Sequence, residues 1–548
     1  MTNQLPLQDI IARLAVSNSP TYDRSRGFWT GLGTMQGLNQ KLISLPLLDF
    51  INYNLRGIGQ VIFVNNPLSG LLILVALFIQ SPWVGWMGLL GVVSSTFMAI
   101  ATLAEGIALK LDRDNIRNGI FGYDGLLVGA ALATFGSGGN GDWNLSWAIA
   151  ITILAASTTV MQRYFGVWWA STFNSPPLTI PFNIATLLFL ALVILIPQSW
   201  FQLGTPAASE TAAFNLTQLL VTSPSNFGQV FLADKLIASS LIILAVFICT
   251  PLGAIVGLVG AGLGMTTALL LRIVPLDTIY SGLWGYNSIL AAMALGGIFF
   301  APNLRSFIAG AGCAFLAALA IPLLSFITQP LSLPVLSLPF CLVAVGFIAL
   351  SRRSLPSLVP VALHAVTSPE EHRQRYLIAK DIIGNFRRQL EIAISGQGRN
   401  FLFDKASSSL KGDLRYVFNA IDTDGNGELS TDELASYLTQ ADPSMTGKEL
   451  NYLFKCMDRD RNGSIDFAEF GELILRHRRL MAKHDAFMTY FLPIDADEDD
   501  RISIDEMNLA MNSVGEAKLS PAEINFLQQR ANSQSFTWNQ FIELLLLT

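Results

Sequence analysis

Formal charge is scarce in the first two thirds of this chain. Only 14% of its 548 residues are charged and 51% are hydrophobic, and the charged residues gather toward the C-terminal end. Long apolar runs follow one another before that, several of them long enough to cross a bilayer, which takes about 20 apolar residues in a helix. A wholly soluble protein is thereby excluded. The net charge of −6 is not a property of the whole molecule, and it gives no case for nucleic acid as a partner. Cysteine is also rare: Cys249, Cys313, Cys341 and Cys456 show no metal-ligand spacing, and three lie in apolar runs as small hydrophobes. The first 30 residues lack a continuous apolar core behind a basic start, so no cleavable signal is expected. No nucleophile elbow, phosphate loop or zinc spacing appears, and the chain does not read as an enzyme.

What is present occurs twice. Arg117 to Gly129 reads RNGIFGYDGLLVG and Tyr280 to Ala292 reads YSGLWGYNSILAA. Gly119 and Gly122 match Gly282 and Gly285, Tyr123 matches Tyr286, and Phe121 matches Trp284. Glycines in membrane helices often serve only to let neighbours approach. A six-position pattern repeated in two halves points instead to interrupted helices inside the protein, the sequence mark of a transport site. Two further pairs keep nearly the same offset. Gln60 in GIGQVIF matches Gln229 in FGQVFL at 169 residues, and Thr179 in LTIPFN matches Ser337 in LSLPFC at 158, against 163 for the glycine motif. Landmarks in one order at a near-constant offset mean internal duplication.

The chain then divides into a tail at 1–35, a first repeat at 36–197, a polar loop at 198–226, a second repeat at 227–353, a linker at 354–400 and a final domain at 401–548. In the first repeat, Asp49, Asn52, Asn54, Arg56 and Gln60 break an apolar stretch that is too polar to face lipid. Stronger spans follow near 68–80, 86–104, 125–135, 147–161 and 184–196. Five spans per half reverse the second copy and give an inverted repeat. The mid-loop has no Lys or Arg, whereas Arg352 and Arg353 follow the last span. The positive-inside tendency therefore puts that loop outside, with both termini and the final domain in the cytoplasm of a cell-membrane protein.

After Thr367 the sequence becomes soluble and helical. Ser368-Pro369-Glu370-Glu371 combines an N-cap, a first-turn proline and a capping-box glutamate. Further on, DTDGNGELSTDE matches the EF-hand calcium loop. Asp422, Asp424, Asn426 and Glu433 supply side-chain oxygens, Glu428 supplies a backbone carbonyl, and Gly427 makes the turn. A second loop has Asp458, Asp460, Asn462, Ser464 and Glu469. A third has Asp495, Asp497, Asp499, Arg501 by its carbonyl, and Glu506, with Asp500 where glycine is expected. A fourth, near Gln529 to Gln540, has Ala531 at the third position and no final carboxylate. Its Phe536 keeps the apolar pairing position, so it reads as a non-binding partner of the third hand. The fold class is thus all-α: a polytopic membrane domain of two inverted five-helix repeats with interrupted pore helices, joined to a soluble EF-hand domain that takes calcium.

GIGQVIFVNNPLSG, GLWGYN and the LTIPFN and LSLPFC segments resemble the urea transporter family over roughly residues 30 to 375. The resemblance implies one passive urea pore per protomer, commonly within a homotrimer in membrane lipid. Gln60 and Gln229 would bind the amide at the outer and inner vestibules, one from each half. Phe63, Phe121 and Trp284 would form flat faces against the planar solute, and Thr179 and Ser337 would place hydroxyls at the centre. Leu232 stands where an aromatic opposite Phe63 is expected. The family's GYN is GYD in the first half, so Asp124 answers Asn287, and Arg117 is its candidate partner by nearness in sequence. A pH-dependent flux would follow from a titrating Asp124. The second half also lacks the NNPLSG turn, having ADKL at Ala233 to Leu236. A channel for another small neutral or nitrogenous solute is one alternative; an ammonium channel, the nearest such rival, would call for paired intramembrane histidines. His364, His372, His477 and His484 all lie outside the spans. A membrane-anchored calcium sensor is the other alternative, but an anchor requires no paired interrupted helices.

Overall fold

The computed structural model describes residues 32–103, 111–136, 143–173, 175–195, 201, 214–272, 274–354, 358–361, 367–395, 401–441, 447, 454, 457–458, 462–481, 501–531 and 535–537. The chain divides into two compact units, one of Arg24–Gln374 and one containing Arg375–Thr548.

The first unit is helical and strongly apolar. Pro82–Ala101, Leu145–Phe173, Pro251–Leu271 and Leu304–Leu331 are long and apolar enough to cross a membrane. Shorter apolar helices accompany them: Pro67–Gln80, Tyr123–Phe135 and Ile180–Ile194 in the first half, Leu236–Cys249, Tyr286–Ile298 and Leu338–Ser351 in the second. Among the described residues each half therefore contributes five of these helices, in the same order of lengths. Prolines open several helices, as at Pro46, Pro67, Pro82 and Pro251, where the missing N–H is not needed.

Contacts between the Pro67–Gln80 and Leu236–Cys249 helices show the inversion directly. Gln80, at the end of the first, accepts the Asp234 and Lys235 amides at the start of the second, at 3.1 and 3.0 Å. Near the opposite ends, Ser69 Oγ donates to the Ala245 carbonyl at 2.7 Å. The two helices run antiparallel, as an inverted repeat requires. This contact also explains the missing NNPLSG turn. Asn66 caps its own helix through the Leu68 and Ser69 amides, whereas Lys235 offers no side-chain cap and Gln80 of the other half satisfies the exposed donors instead.

The helix Pro46–Gln60 is turned inside out relative to a soluble amphipathic helix. Asp49, Asn52, Asn54 and Arg56 are buried, while Leu47, Leu48 and Ile51 are exposed. Polar groups find partners within the protein, and the apolar face suits a lipid environment. Phe97 and Leu188 on later helices are likewise exposed.

The second unit packs small helices against two short antiparallel ribbons. Glu428–Leu429 pairs with Ile465–Asp466, and Arg501–Ser503 pairs with Ser535–Thr537. The second ribbon places Ile502 opposite Phe536. Phe418, Leu414, Leu429, Ile465 and Phe470 form the core of the first lobe. The helix Pro369–Ile394 is held toward its far end by Arg387, which donates to the Ala517 and Lys518 carbonyls at 2.5 and 3.0 Å and pairs with Glu523 at 3.4 Å.

Candidate functional site

The halves meet at the starts of two short helices, Ile180–Leu195 and Leu338–Ser354. The residues two places before them, Leu178 and Leu336, have φ of 53° and 47°, so the chain turns sharply at both. Tyr123 and Tyr286 hold those turns by donating to the Leu178 and Leu336 carbonyls at 3.0 and 2.5 Å. Between the turns, Thr179 Oγ1 and Ser337 Oγ lie 2.7 Å apart, nearly buried. Cys341 Sγ is 3.1 Å from Thr179 Oγ1, and Asn183 Nδ2 donates to Ser337 Oγ at 2.9 Å. Two helix N-termini therefore converge on paired hydroxyls. Their dipoles present partial positive charge there, which disfavours a cation and leaves neutral hydrogen-bonding groups to meet a solute.

Gln60 and Gln229 sit at the two ends of the repeat in matching environments. Gln60 Nε2 donates to the Asn118 carbonyl at 3.0 Å, and Gln229 Nε2 to the Ser281 carbonyl at 2.9 Å. A carbonyl can only accept, so each amide orientation is fixed. Both glutamines are half-buried, and among the described residues neither Oε1 accepts a hydrogen bond, so each keeps an acceptor in hand. Phe63 and Leu232, three residues on, share left-handed backbones with φ of 60° and 57°.

The three aromatic candidates are not brought together. Phe63 packs edge-on against Phe299 and Phe340 of the second half at centroid distances of 5.9 and 6.1 Å. Phe121 joins a separate small cluster with Ala99, Leu111 and Ile116. Trp284 is buried with Ile279, Tyr280 and Ile321, its Nε1 donating to Thr278 Oγ1 at 3.0 Å.

Asp124 and Asn287 occupy equivalent buried places with different bonds. Asn287 donates to the Leu336 carbonyl at 3.2 Å and accepts the Phe340 amide at 3.1 Å. Asp124 Oδ2 accepts from Gln162 Nε2 at 2.7 Å. The Phe182 amide adds a weaker interaction, and Oδ1 has no hydrogen bond of ordinary geometry. The pairing with Arg117 expected from sequence is not made. Arg117 lies before the Gly119 turn and points instead to Tyr53 Oη at 3.4 Å and Asp114 at 3.8 Å. Sequence reading missed Gln162, Asn118 and Asn183. Gln162 had a signal, as a polar side chain within the apolar run of Leu145–Phe173.

The first calcium loop is formed in detail. Ligand oxygens of Asp422, Asp424 and Glu433 lie within 4.8 Å of one another. Asp422 Oδ2 accepts the Gly427 amide at 3.0 Å, and Asn426 Oδ1 accepts the Glu428 amide at 2.7 Å. Gly427 has φ of 84°, the left-handed turn that glycine makes without strain. The Ser430 amide, then its hydroxyl, then Thr423, hold the Glu433 carboxylate down at about 2, so it is ionised at physiological pH. A converging set of hard carboxylate oxygens suits a hard divalent cation. In the second loop, Asp458 Oδ2 accepts the Gly463 amide at 3.0 Å, Asn462 Oδ1 the Ser464 amide at 2.8 Å, and Glu469 Oε2 the Asp466 amide at 3.1 Å. Asp460, Asp495, Asp497 and Asp499 lie outside the described residues. Of the third loop, Arg501 donates its side chain to Ser535 at 2.6 Å, and Glu506 closes a capping box with Ser503.

Comparison with known proteins bears on both units. The profile of the urea transporter family matches residues 51–352, more than half of the chain. The chain belongs to the urea transporter family. Urea transporter 1 of Capra hircus is 32% identical over 339 residues, covering 60% of this chain and 84% of the relative. The proteins of the same name from Ovis aries and Rattus norvegicus are 32% and 31% identical over 337 and 338 residues, with the same coverage. An EF-hand domain pair matches residues 411–475, the first lobe. In this urea transporter chain the family match and the EF-hand match are thus consecutive and do not overlap.

Proposed function

We propose that the membrane unit is a passive, channel-like path for urea and that calcium binding to the EF-hand unit regulates its flux. The observation that carries the first part is the matched pair of glutamines. Gln60 and Gln229 each have Nε2 committed to a carbonyl, so each offers an acceptor to a solute rich in N–H donors. A planar neutral solute entering a narrow path loses water, and acceptors at each end and hydroxyls at Thr179 and Ser337 replace those bonds. Phe63, Phe121 and Trp284 serve as apolar walls at separate points along the way, with Tyr123 and Tyr286 holding the two turns and Asp124 and Asn287 next to them in sequence.

Calcium binds through Asp422, Asp424, Asn426, the Glu428 carbonyl and Glu433, and through Asp458, Asp460, Asn462, Ser464 and Glu469, with Asp495, Asp497, Asp499, the Arg501 carbonyl and Glu506 as a third site. The protein resides in the cell membrane, as a homotrimer on the strength of the family resemblance, with both termini cytoplasmic, a reading supported by the Arg352–Arg353 pair and a mid-loop without Lys or Arg. The resemblance puts Gln60 at the outer vestibule and Gln229 at the inner. Gln60 is connected through Asn118, Asn65, Arg56 and Thr34 to Glu371, beyond the last span, so the orientation with cytoplasmic termini reverses that assignment and puts Gln60 at the inner vestibule and Gln229 at the outer.

The test is stopped-flow urea flux in proteoliposomes, with and without calcium, for the wild type and for Glu433→Gln and Glu469→Gln. Urea permeability above empty vesicles supports the channel, and its absence rejects it. A calcium effect that the two variants reduce supports regulation, and flux indifferent to calcium rejects that part alone.

A further inference from the structure

Arg56 is wholly buried, yet no carboxylate pairs with it among the described residues. Its guanidinium is held by neutral oxygens: Nη1 donates to the Thr34 carbonyl at 2.8 Å and to Asn65 at 2.9 and 2.7 Å, Nη2 to the Met35 carbonyl at 2.8 Å, and Nε to Asn52 at 3.2 Å. A buried charge satisfied only by fixed dipoles is costly to assemble and intolerant of displacement. The contacts beyond it lead in two directions. Inward, Asn65 Nδ2 donates to Asn118 Oδ1 at 3.3 Å, and the Asn118 carbonyl is what orients Gln60. Outward, Thr34 Oγ1 donates to Glu371 Oε1 at 2.6 Å.

Glu371 stands in the first turn of Pro369–Ile394, and that turn is firmly seated. Glu370 Oε1 accepts the Leu252 amide at 2.8 Å and the Thr250 hydroxyl at 3.0 Å. His372 accepts the Thr367 amide through Nε2 at 2.9 Å, which leaves Nδ1 to donate to the Gly297 carbonyl, also at 2.9 Å. The same helix continues into the sequence of the EF-hand unit.

Among the described residues the second half has no such arrangement. At the Gln60-to-Gln229 offset of 169, Ser225 stands where Arg56 does, and makes one bond to the Asp234 carbonyl at 3.1 Å. Ser281, in the place of Asn118, turns its hydroxyl to Thr278.

We propose that Arg56 is a positioning residue for the Gln60 acceptor, and that Glu371 and Thr34 connect it to the base of the Pro369–Ile394 helix, so that calcium regulation acts on the Gln60 vestibule alone. The proposal rests on the urea and calcium readings above and adds the route and the side. A shift of the helix base would loosen Thr34, then the Arg56 fork, and so free the Asn118 carbonyl that fixes Gln60. Coupling of this kind requires a physically contiguous path and a demonstrated effect of its members.

The test uses the full-length protein in proteoliposomes, with urea flux measured over a range of urea concentrations, in chelator and in calcium. Thr34→Val and Glu371→Ala cut the outer link, and Arg56→Lys replaces the fork by a point donor that cannot reach the same set of oxygens. Thr34→Val and Glu371→Ala should keep chelator flux within about twofold of wild type and lose most of the calcium response. Arg56→Lys should raise the half-saturating urea concentration about fivefold, the equivalent of one weakened neutral hydrogen bond, with a smaller change in maximal flux. Hydrogen exchange at residues 33–35 and 115–120 should respond to calcium in the wild type and not in Thr34→Val. A full calcium response in both Thr34→Val and Glu371→Ala overturns the route. If wild-type flux ignores calcium, the regulatory reading fails by itself. Arg56→Lys then decides the remainder: an unchanged half-saturating concentration in a protein that elutes normally in detergent overturns the positioning role. If Arg56→Lys does not fold, Asn65→Ala makes the same measurement from the next link.

Discussion

The two halves of the membrane unit share a backbone and differ in how they support it. Left-handed residues recur in register, Phe63 with Leu232, Gly119 with Gly282 and Leu178 with Leu336. So do the bonds of Gln60 and Gln229 and those of Tyr123 and Tyr286. The supports behind them diverge. A buried arginine fork in the first half is answered by a serine, a self-capping asparagine by a glutamine from the opposite half, and an aspartate with Gln162 by an asparagine with a carbonyl. The tail of the second interrupted helix also widens into a π-turn at Ala294–Ile298, whose Gly297 carbonyl receives His372. Backbone geometry is common to the halves, whereas the first turn of Pro369–Ile394 meets them at different places, Thr34 in the first and Thr250, Leu252 and the π-turn in the second.

The most severe way to break the symmetry is to substitute the shared glycines. A Cβ on Gly119 would lie 2.3 Å from the Gly57 nitrogen, and one on Gly282 would lie 2.4 Å from the Ser225 carbonyl carbon. Both positions also have φ near 80°, at 74° and 83°. Strain and overlap with immobile backbone together cost on the order of 3 kcal/mol or more. Gly119→Ala and Gly282→Ala should therefore each abolish a monodisperse peak in detergent size-exclusion chromatography. A well-folded Gly282→Ala beside an unfolded Gly119→Ala would show that the halves are not equivalent at this turn.

These glycines were legible in the sequence because a left-handed turn needs glycine wherever a neighbouring backbone comes this close. Five spans per half and the EF-hand pair of residues 411–475 were legible for a similar reason, since each is a local pattern of residue types. Long-range partners were not. Arg117 seemed the natural mate of Asp124 from a separation of seven residues, but the Gly119 turn sends the two in different directions and Gln162, 38 residues away, takes the place. Arg56 read as an interruption, and its role appears only when Thr34, Asn65 and Glu371 are assembled from distant segments. Phe121 and Trp284 were recognisable as twins, although their packing into separate clusters depended on which neighbours each half supplies.

A milder comparison concerns the caps. Asn66 satisfies the Leu68 and Ser69 amides within its own half, whereas Gln80 satisfies Asp234 and Lys235 across the interface between halves. Loss of either cap exposes helix N-terminal donors, at about 1 kcal/mol. Asn66→Ala and Gln80→Leu should each lower the thermal midpoint by about 2 °C. Gln80→Leu should in addition loosen the contact between the halves, read as faster hydrogen exchange at residues 233–237. Equal exchange in the two variants would show that the cross-half cap is only a local one.

The smallest expected effect falls on Asp124, where the halves differ by a single atom type. Asn287 both donates, to the Leu336 carbonyl, and accepts, from the Phe340 amide. An ionised Asp124 can only accept, and Gln162 supplies the donor, shared with Tyr123 Oη at 2.5 Å. Protonation gives Asp124 a hydrogen to donate and brings the first half toward the bonding of the second. Asp124→Asn imposes that bonding at every pH. Wild-type urea flux should accordingly change by about threefold or less as pH falls from 8 to 5, approaching the flux of Asp124→Asn at the acid end, while the variant stays level. Tyr123, Gln162 and Cys341 face the carboxyl and remain in the variant, so a pH response that survives in Asp124→Asn belongs to another group. A wild-type profile as flat as the variant's would mean that Gln162 holds Asp124 in one state throughout, and that this half keeps its own bonding by design of its neighbours.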